Sequence, residues 1–393
     1  MNNNNSVKVL YISHVQEYGG AEVVLLNLLR KNTMWDSVVM LPDGSFSKLL
    51  KEDDIVVIHS EYLKPLERRH HVFWLFHFIV QFILASHEIT KVARSLKVDI
   101  IHSNHLASLP YCILPALLLR KKLVWHMHDI KECGSFDGIA LYIMSHFVDK
   151  IIAVSDAVVQ GLVNCHINKL LIIRCWNGIN KETDIIDRGK PDDRYFKKNS
   201  KKINVAQIGT IAYVKGQHIF IDAVNILQDI ERTRYKADYY IVGAAPSLKD
   251  DYIGEIDRQI DRLNLRDSVT LSGKLSAMRT VYENIDVLVF PSLVKEAFGM
   301  VLIEAMAMGC IVIAARVGGV KEIIEDGVTG LLFERANVVE LAEKLRMVIA
   351  GEVDIYSMIT KAKKSIESKF SLDEQKENLM AIYSELKINE NVN

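Results

Sequence analysis

Short apolar runs alternate with helical stretches along nearly the whole chain, and they do so in two successive sets. The first set is 7–13, 38–41, 55–58, 99–102, 123–126 and 151–154; the second is 203–208, 239–242, 269–271, 287–290 and 311–314. Strand and helix in strict alternation specify a doubly wound α/β domain, and two sets specify two such domains. The length agrees: 393 residues exceed one ordinary core and suit two domains of roughly 170–200 residues. Between the sets, 180–202 is rich in Asp, Lys and Arg and carries Gly189 and Pro191, the composition of a linker. The predicted organisation is a first domain over 1–180, a linker over 181–201, a second domain over 202–370 and a final helix within 371–393. Leu372, Leu379, Ile382 and Leu386 share one face of that helix, and Ser371 stands as its cap ahead of Asp373 and Glu374.

Charge and cysteine usage narrow the class. A net charge of −1 and a pI near 6.9 argue against a nucleic-acid binder, which needs a wide basic footprint. Cys112, Cys133, Cys165, Cys175 and Cys310 form no Cys-x-x-Cys pair and read as reduced packing residues of a cytoplasmic protein. The start MNNNNSVKVLYISH has no charged-then-apolar leader, so no signal peptide is expected. The apolar segment 72–86 is fifteen residues long and contains His77 and Gln81, too short and too polar to span a bilayer. It reads as an amphipathic helix packed on the first sheet. Peripheral contact with the inner face of a membrane is the competing reading, because Lys64, Arg68, Arg69, His70 and His71 precede it and can attract anionic headgroups.

The chemistry concentrates in PSLVKEAFGMVLIEAMAMG, where Glu296 and Glu304 are separated by seven residues. Pro291-Ser292 breaks the strand 287–290, and a helix is predicted to begin near Phe298-Gly299. Its free N–H groups and positive end make an anion site over the strand tips. Glu304 lies about a turn and a half into that helix, where an ionised carboxylate can accept two hydrogen bonds from a vicinal diol such as a ribose.

Other candidates cluster at strand ends. Gly209-Thr210-Ile211-Ala212-Tyr213-Val214-Lys215-Gly216 follows the first strand of the second domain, so Lys215 can reach over the crevice. Gly243 and Gly273-Lys274-Leu275 occupy comparable positions. In the first domain Gly19-Gly20-Ala21-Glu22 permits close approach of a ligand. His126 and His128, ahead of Asp129, face the same side if their strand continues; no third ligand at a suitable spacing joins them, and no metal is assigned. Neither a Gly-x-Gly-x-x-Gly fingerprint nor a Walker loop occurs.

The run 291–309 and its continuation CIVIAARVGGVKEIIEDGVTGLLF resemble the signature of the retaining glycosyltransferases of family 4, most strongly over 202–333. Ser155 and Asn177-Gly178 fall in the expected order in the first half. The resemblance implies the GT-B fold: two Rossmann-like domains facing across a cleft, the first for the acceptor and the second for the nucleotide-sugar donor, with the last helix crossing back to the first. It implies that Glu296 addresses the sugar, that the amides of Phe298, Gly299 and Met300 address the diphosphate, and that Glu304 binds the ribose. Gly209 and Lys215-Gly216 would contact the diphosphate, with Thr210 where the family commonly has arginine. Lys274 and Leu275 would line the base pocket, Gly243 would permit close approach, and the loop at Gly19 and Gly20 would approach the donor. His128 would touch the sugar near the reacting carbon, making His128, Lys215 and Glu296 the expected catalytic set.

The activity so implied is transfer of a glucose-type hexose from UDP to a hydroxyl of a carbohydrate or lipid-linked acceptor, with retention, in bacterial polysaccharide or glycolipid synthesis. The absence of an Asp-x-Asp triplet matches a family fold that usually needs no divalent metal, and no cofactor beyond the UDP-sugar co-substrate is expected. The alternatives are a sugar-nucleotide epimerase of the same fold and a non-catalytic nucleotide-sugar-binding protein.

Overall fold

The computed structural model describes residues 6–17, 19–64, 74–131, 136–185, 202–230, 236–245 and 251–390. It divides into two compact units, Met1–Gly178 with Leu372–Asn393, and Ile179–Ser371. The strands of the first are β1 (Lys8–Ile12), β2 (Asp36–Leu41), β3 (Val57–His59), β4 (Ile100–Ser103), β5 (Lys122–Met127), β6 (Lys150–Ala153) and β7 (Ile172–Arg174). Among the described residues they form one sheet in the order β3-β2-β1-β4-β5-β6-β7. The second unit contains β8 (Lys202–Ile208), β9 (Lys236–Val242), β10 (Val269–Gly273), β11 (Val287–Phe290), β12 (Ile311–Ala315) and β13 (Leu331–Phe333), in the order β10-β9-β8-β11-β12-β13. All these pairings are parallel.

Parallel pairing needs helical crossovers, which bury both faces of the sheet. Accordingly β4, β11 and β12 are buried at every residue, and β1 at all but its first. Each fully buried Val, Ile or Leu contributes roughly 1.5–3 kcal/mol. Each sheet reverses its winding once, between β1 and β4 and between β8 and β11. At such switch points the strand ends diverge and leave a crevice beyond their carboxyl ends.

The final helix, Leu372–Glu390, belongs to the first unit. Leu372, Leu379, Ile382 and Leu386 are buried, as the predicted face requires. Tyr383 of this helix bonds Tyr11 (2.9 Å) and His102 Nδ1 (2.8 Å) through its hydroxyl, and Lys387 donates to the carbonyl of Ser6 at 2.9 Å.

Three expectations are corrected. The start of the expected linker folds with the second unit, because Arg279 donates to the carbonyls of Ile185 (2.9 Å) and Lys181 (2.6 Å); 186–201 lie outside the described residues. The apolar helix is longer than 72–86 and runs Trp74–Leu96. It packs on the helix Leu109–Leu119, where Gln81 and Ser86 donate to the hydroxyl and carbonyl of Tyr111 (3.2 and 3.3 Å). Finally, Cys112, Cys175 and Cys310 are free and buried, but Cys165 is disulfide-bonded. Spacing along the chain carries no information about which thiols meet in space. Cys133 lies outside the described residues, as do 65–73 and with them Arg68, Arg69, His70 and His71.

Candidate functional site

In the second unit the loops after β8, β9, β10 and β11 converge. Gly209 N–H donates to the carbonyl of Val242 and Gly243 N–H to that of Gly273, both at 2.9 Å. A Cβ on Gly243 would stand 1.8 Å from the Gly209 carbonyl oxygen, so the close approach expected there is one of backbone on backbone. Gln217 donates to the carbonyl of Thr210 (3.0 Å) and Gln207 to that of Lys215 (2.9 Å). These bonds hold the 209–216 loop in shape. Leu293 N–H, donating to Val214 at 2.8 Å, ties it to the loop after β11.

That junction brings Lys215 to Glu296. Lys215 Nζ donates to Glu296 Oε1 at 2.7 Å, and Ser292 Oγ donates to the same oxygen at 2.5 Å. Both bonds fall on Oε1, so Oε2 has no protein partner among the described residues. The Glu296 side chain is 15% exposed and that of Lys215 31%: shielded enough to strengthen the attraction, open enough for a ligand to reach. The segment after β12 clamps the Glu296 backbone, with Gly319 N–H donating to its carbonyl at 2.8 Å.

The helix beyond this loop is Met300–Met308, preceded by Gly299 at φ +123. It begins one or two residues later than predicted. Phe298 therefore stands outside it, with its ring buried and 5.8 Å from that of Phe370. Phe298 can offer a ligand its backbone only. Glu304 faces the helix Met278–Asn284, and its Oε2 accepts from the Tyr282 hydroxyl at 2.6 Å. Burial raises the Glu304 pKa above the ordinary value, against the Tyr282 bond and with repulsion from Asp184. Lys274 is exposed and Leu275 half-buried, just past the end of β10.

The first unit gathers histidines at the carboxyl ends of its strands. His126 in β5 and His128 just beyond it stack at 4.1 Å, as same-side alternation predicts. His102 of β4 meets His126 at 5.4 Å, while His105 meets His128 at 5.9 Å and His14 at 5.3 Å. Glu22 bonds His105 Nε2 through one oxygen and accepts the N–H of Gly19 with the other at 2.9 Å. The glycine loop is thereby tied to the cluster. Burial, then the charge of neighbouring imidazoles, lowers His128 and His126 well below the usual range. The same causes bring His14 down to about 4 and His102 to about 3. The rings of these four are neutral near pH 7. The described residues hold no group of three or more His, Cys, Asp or Glu arranged for a metal ion.

Each unit thus brings together some of the predicted residues. Gly209, Thr210, Lys215, Gly243 and Glu296 meet around one loop junction in the second; Gly19 and His128 join one cluster in the first, through Glu22 and His105. Sequence reasoning did not single out Tyr282 or Ser292 in the second unit, nor His14, Glu22 or His105 as side chains of the first. Ser292 lay inside the motif, four residues before Glu296, and was the most findable. Tyr282 carries no local signal, because only the packing of two helices makes it the partner of Glu304.

Comparison with known proteins agrees with this geometry. Residues 190–366 match the family model Glycosyl transferases group 1, and 18–183 match Glycosyltransferase Family 4. The capsular polysaccharide biosynthesis glycosyltransferase CapM of Staphylococcus aureus is 26% identical over 264 residues, covering 65% of this chain and 67% of CapM. An uncharacterized glycosyltransferase of Methanocaldococcus jannaschii is 28% identical over 318 residues, 78% of this chain and 81% of that one. Among solved structures, Anabaena HepE in complex with UDP-glucose matches with a TM-score of 0.78 at 23% identity, over 96% of this chain and 99% of HepE, a likeness of fold. With a family model matched in each half and a doubly wound sheet under each, the chain belongs to the family 4 glycosyltransferases and has the GT-B fold.

Proposed function

We propose that this glycosyltransferase moves a glucose-type hexose from UDP to a hydroxyl of a carbohydrate or lipid-linked acceptor, with retention of configuration and without a metal ion. The observation that carries the reading is the Lys215–Glu296–Ser292 junction beside the start of the helix Met300–Met308. Breaking the glycosidic bond places negative charge on the departing diphosphate. Lys215 and the first amides of that helix supply positive potential to meet it, the task a divalent cation performs elsewhere. Glu296 Oε2 can accept from a sugar hydroxyl, and Lys215 with Ser292 on Oε1 fixes the carboxylate plane. Retention follows if the diphosphate itself takes the acceptor proton on the face it leaves. HepE with UDP-glucose and CapM in capsular polysaccharide synthesis support the choice of donor and pathway class.

The test is UDP-glucose incubated with a panel of methyl glycosides and a polyprenyl-phosphate-linked sugar, in EDTA, with products read by anomeric NMR couplings. The expected result is an α-linked product and undiminished turnover. A β-linked product overturns retention, and activity restored only by manganese overturns the metal-free reading. An isomerised donor without acceptor would mark an epimerase; binding without turnover on any acceptor would mark a binding protein.

A second observation favours an acceptor at a membrane. The helix Trp74–Leu96 leaves Phe76 64% and Ile83 54% exposed, and its neighbour Leu109–Leu119 leaves Leu117 57% and Leu118 62% exposed. Exposed apolar side chains on two packed helices offer an interaction surface. No helix of the described residues is long and apolar enough to cross a membrane, so contact would be peripheral. The protein is expected to cosediment with phosphatidylglycerol vesicles at low salt, and Ile83→Glu with Leu117→Glu to abolish this. Failure to bind at low salt would assign the surface to something other than lipid.

A further inference from the structure

We propose that Tyr282 is a specificity-determining positioning residue, whose hydroxyl aims the Glu304 carboxylate at a ribose diol and so makes the protein select UDP over 2′-deoxy-UDP. The inference rests on Glu304 being the ribose ligand.

The Tyr282 ring is fully buried. Its main chain is anchored as well, for the Cys310 thiol, next to β12, donates to its carbonyl at 3.4 Å. A phenol so buried stays neutral, with its pKa well above the usual value, and towards a carboxylate it can only donate. The 2.6 Å bond to Oε2 occupies one oxygen and fixes the carboxylate plane. Oε1 has no protein partner among the described residues. A carboxylate with one oxygen held by a rigid donor presents the other in a defined direction, the geometry that reads a hydroxyl.

Tyr282 also governs the charge. Burial works against ionised Glu304, Asp184 repels it, and the Tyr282 bond opposes both. On its own helix, Met300–Met308, no other residue is charged, and Lys363 of the helix Ile355–Lys369 lies at the far end beside Gly309. The sign follows. Glu304 is ionised above its raised pKa, and as pH falls through that value the carboxylate protonates and the diol contact weakens. Without Tyr282 that loss comes at a higher pH.

The test is calorimetric affinity for UDP and for 2′-deoxy-UDP at pH 8 and pH 6, in wild type, Glu304→Ala, Tyr282→Phe and Tyr282→3-fluorotyrosine. Wild type is expected to prefer UDP by at least about tenfold, and Glu304→Ala to lose that preference. Tyr282→Phe should lose most of it with 2′-deoxy-UDP affinity unchanged, and more at pH 6 than at pH 8. The fluorinated variant keeps the shape, donates more strongly and should widen the preference, which provides a reading if the phenylalanine does not fold. If Glu304→Ala keeps the preference, the ribose assignment falls and this proposal with it. If Glu304→Ala loses it while both Tyr282 variants keep the wild-type ratio, Tyr282 alone is refuted. Equal weakening of both ligands by Tyr282→Phe would reduce Tyr282 to a structural prop and also refute the proposal.

Discussion

Lys215→Ala is expected to lower kcat about 10²–10³-fold, the loss that follows removal of one preorganised group facing developing charge. Donor affinity should change much less. The ammonium bonds Glu296 Oε1 at 2.7 Å and lies 5.9 Å from the centre of the Phe290 ring, so it is held in place before any donor arrives. Preorganisation of this kind acts most strongly where charge grows during the reaction, which is on the departing diphosphate and not on the bound ground state. The change also leaves the Glu296 carboxylate, 15% exposed, with Ser292 as its remaining bonded partner. Lys215→Arg should recover little, because a planar fork does not reproduce a point charge at a single oxygen. Steady-state transfer beside calorimetric binding of UDP-glucose decides the matter. A rise in KM with kcat unchanged would show that Lys215 contributes uniform binding only, against the role assigned to it.

Gly318→Ala should damage both the fold of the second unit and its activity. Gly318 sits at φ +47, and a Cβ there would stand 2.1 Å from the carbonyl oxygen of Glu296 and 2.7 Å from its nitrogen. These are main-chain atoms and cannot turn aside as a side-chain end can. Relief requires the loop that carries Glu296 to move, which breaks the 2.8 Å bond from Gly319 N–H to the same carbonyl. Overpacking and backbone strain together cost about 2–4 kcal/mol, a fall in Tm of roughly 5–15 °C for a unit of this size. Transfer should drop by more than about 10²-fold, because a displacement near 1 Å at a positioned group is enough. Gly327→Ala is the control: its φ of +73 is as unfavourable, but nothing lies within 4 Å of the added carbon. Unfolding and turnover indistinguishable between the two variants would show that contact with Glu296 does not matter.

The residues show how far a one-dimensional reading reaches. Strand–helix alternation is a periodic burial signal, and it located eleven strands close to where they lie. It missed β7 and β13, three-residue strands at the sheet edges, although it found β3, an edge strand equally short. The 291–309 motif was legible as a strand, a break and a helix with two acids, since each of those is a local preference. Its continuation Arg316-Val317-Gly318-Gly319 resembled the family for a reason the chain does not display, namely that the glycines let one backbone lie against Glu296.

Local order along the chain by itself determined two doubly wound domains, the strand, break and helix of 287–308, and the apolar face of the last helix. Tertiary structure alone decided the partners. Lys215 and Glu296 are 81 residues apart and His102 and Tyr383 are 281 apart; strand order and helix packing bring them together, and neither is encoded in any short window. Tyr282 became the partner of Glu304, and Cys165 part of a disulfide, in the same way. Hydrogen bonds and ion pairs act over a few ångströms of space, whereas the periodicity that a sequence reveals is set by which side of a strand or helix faces water.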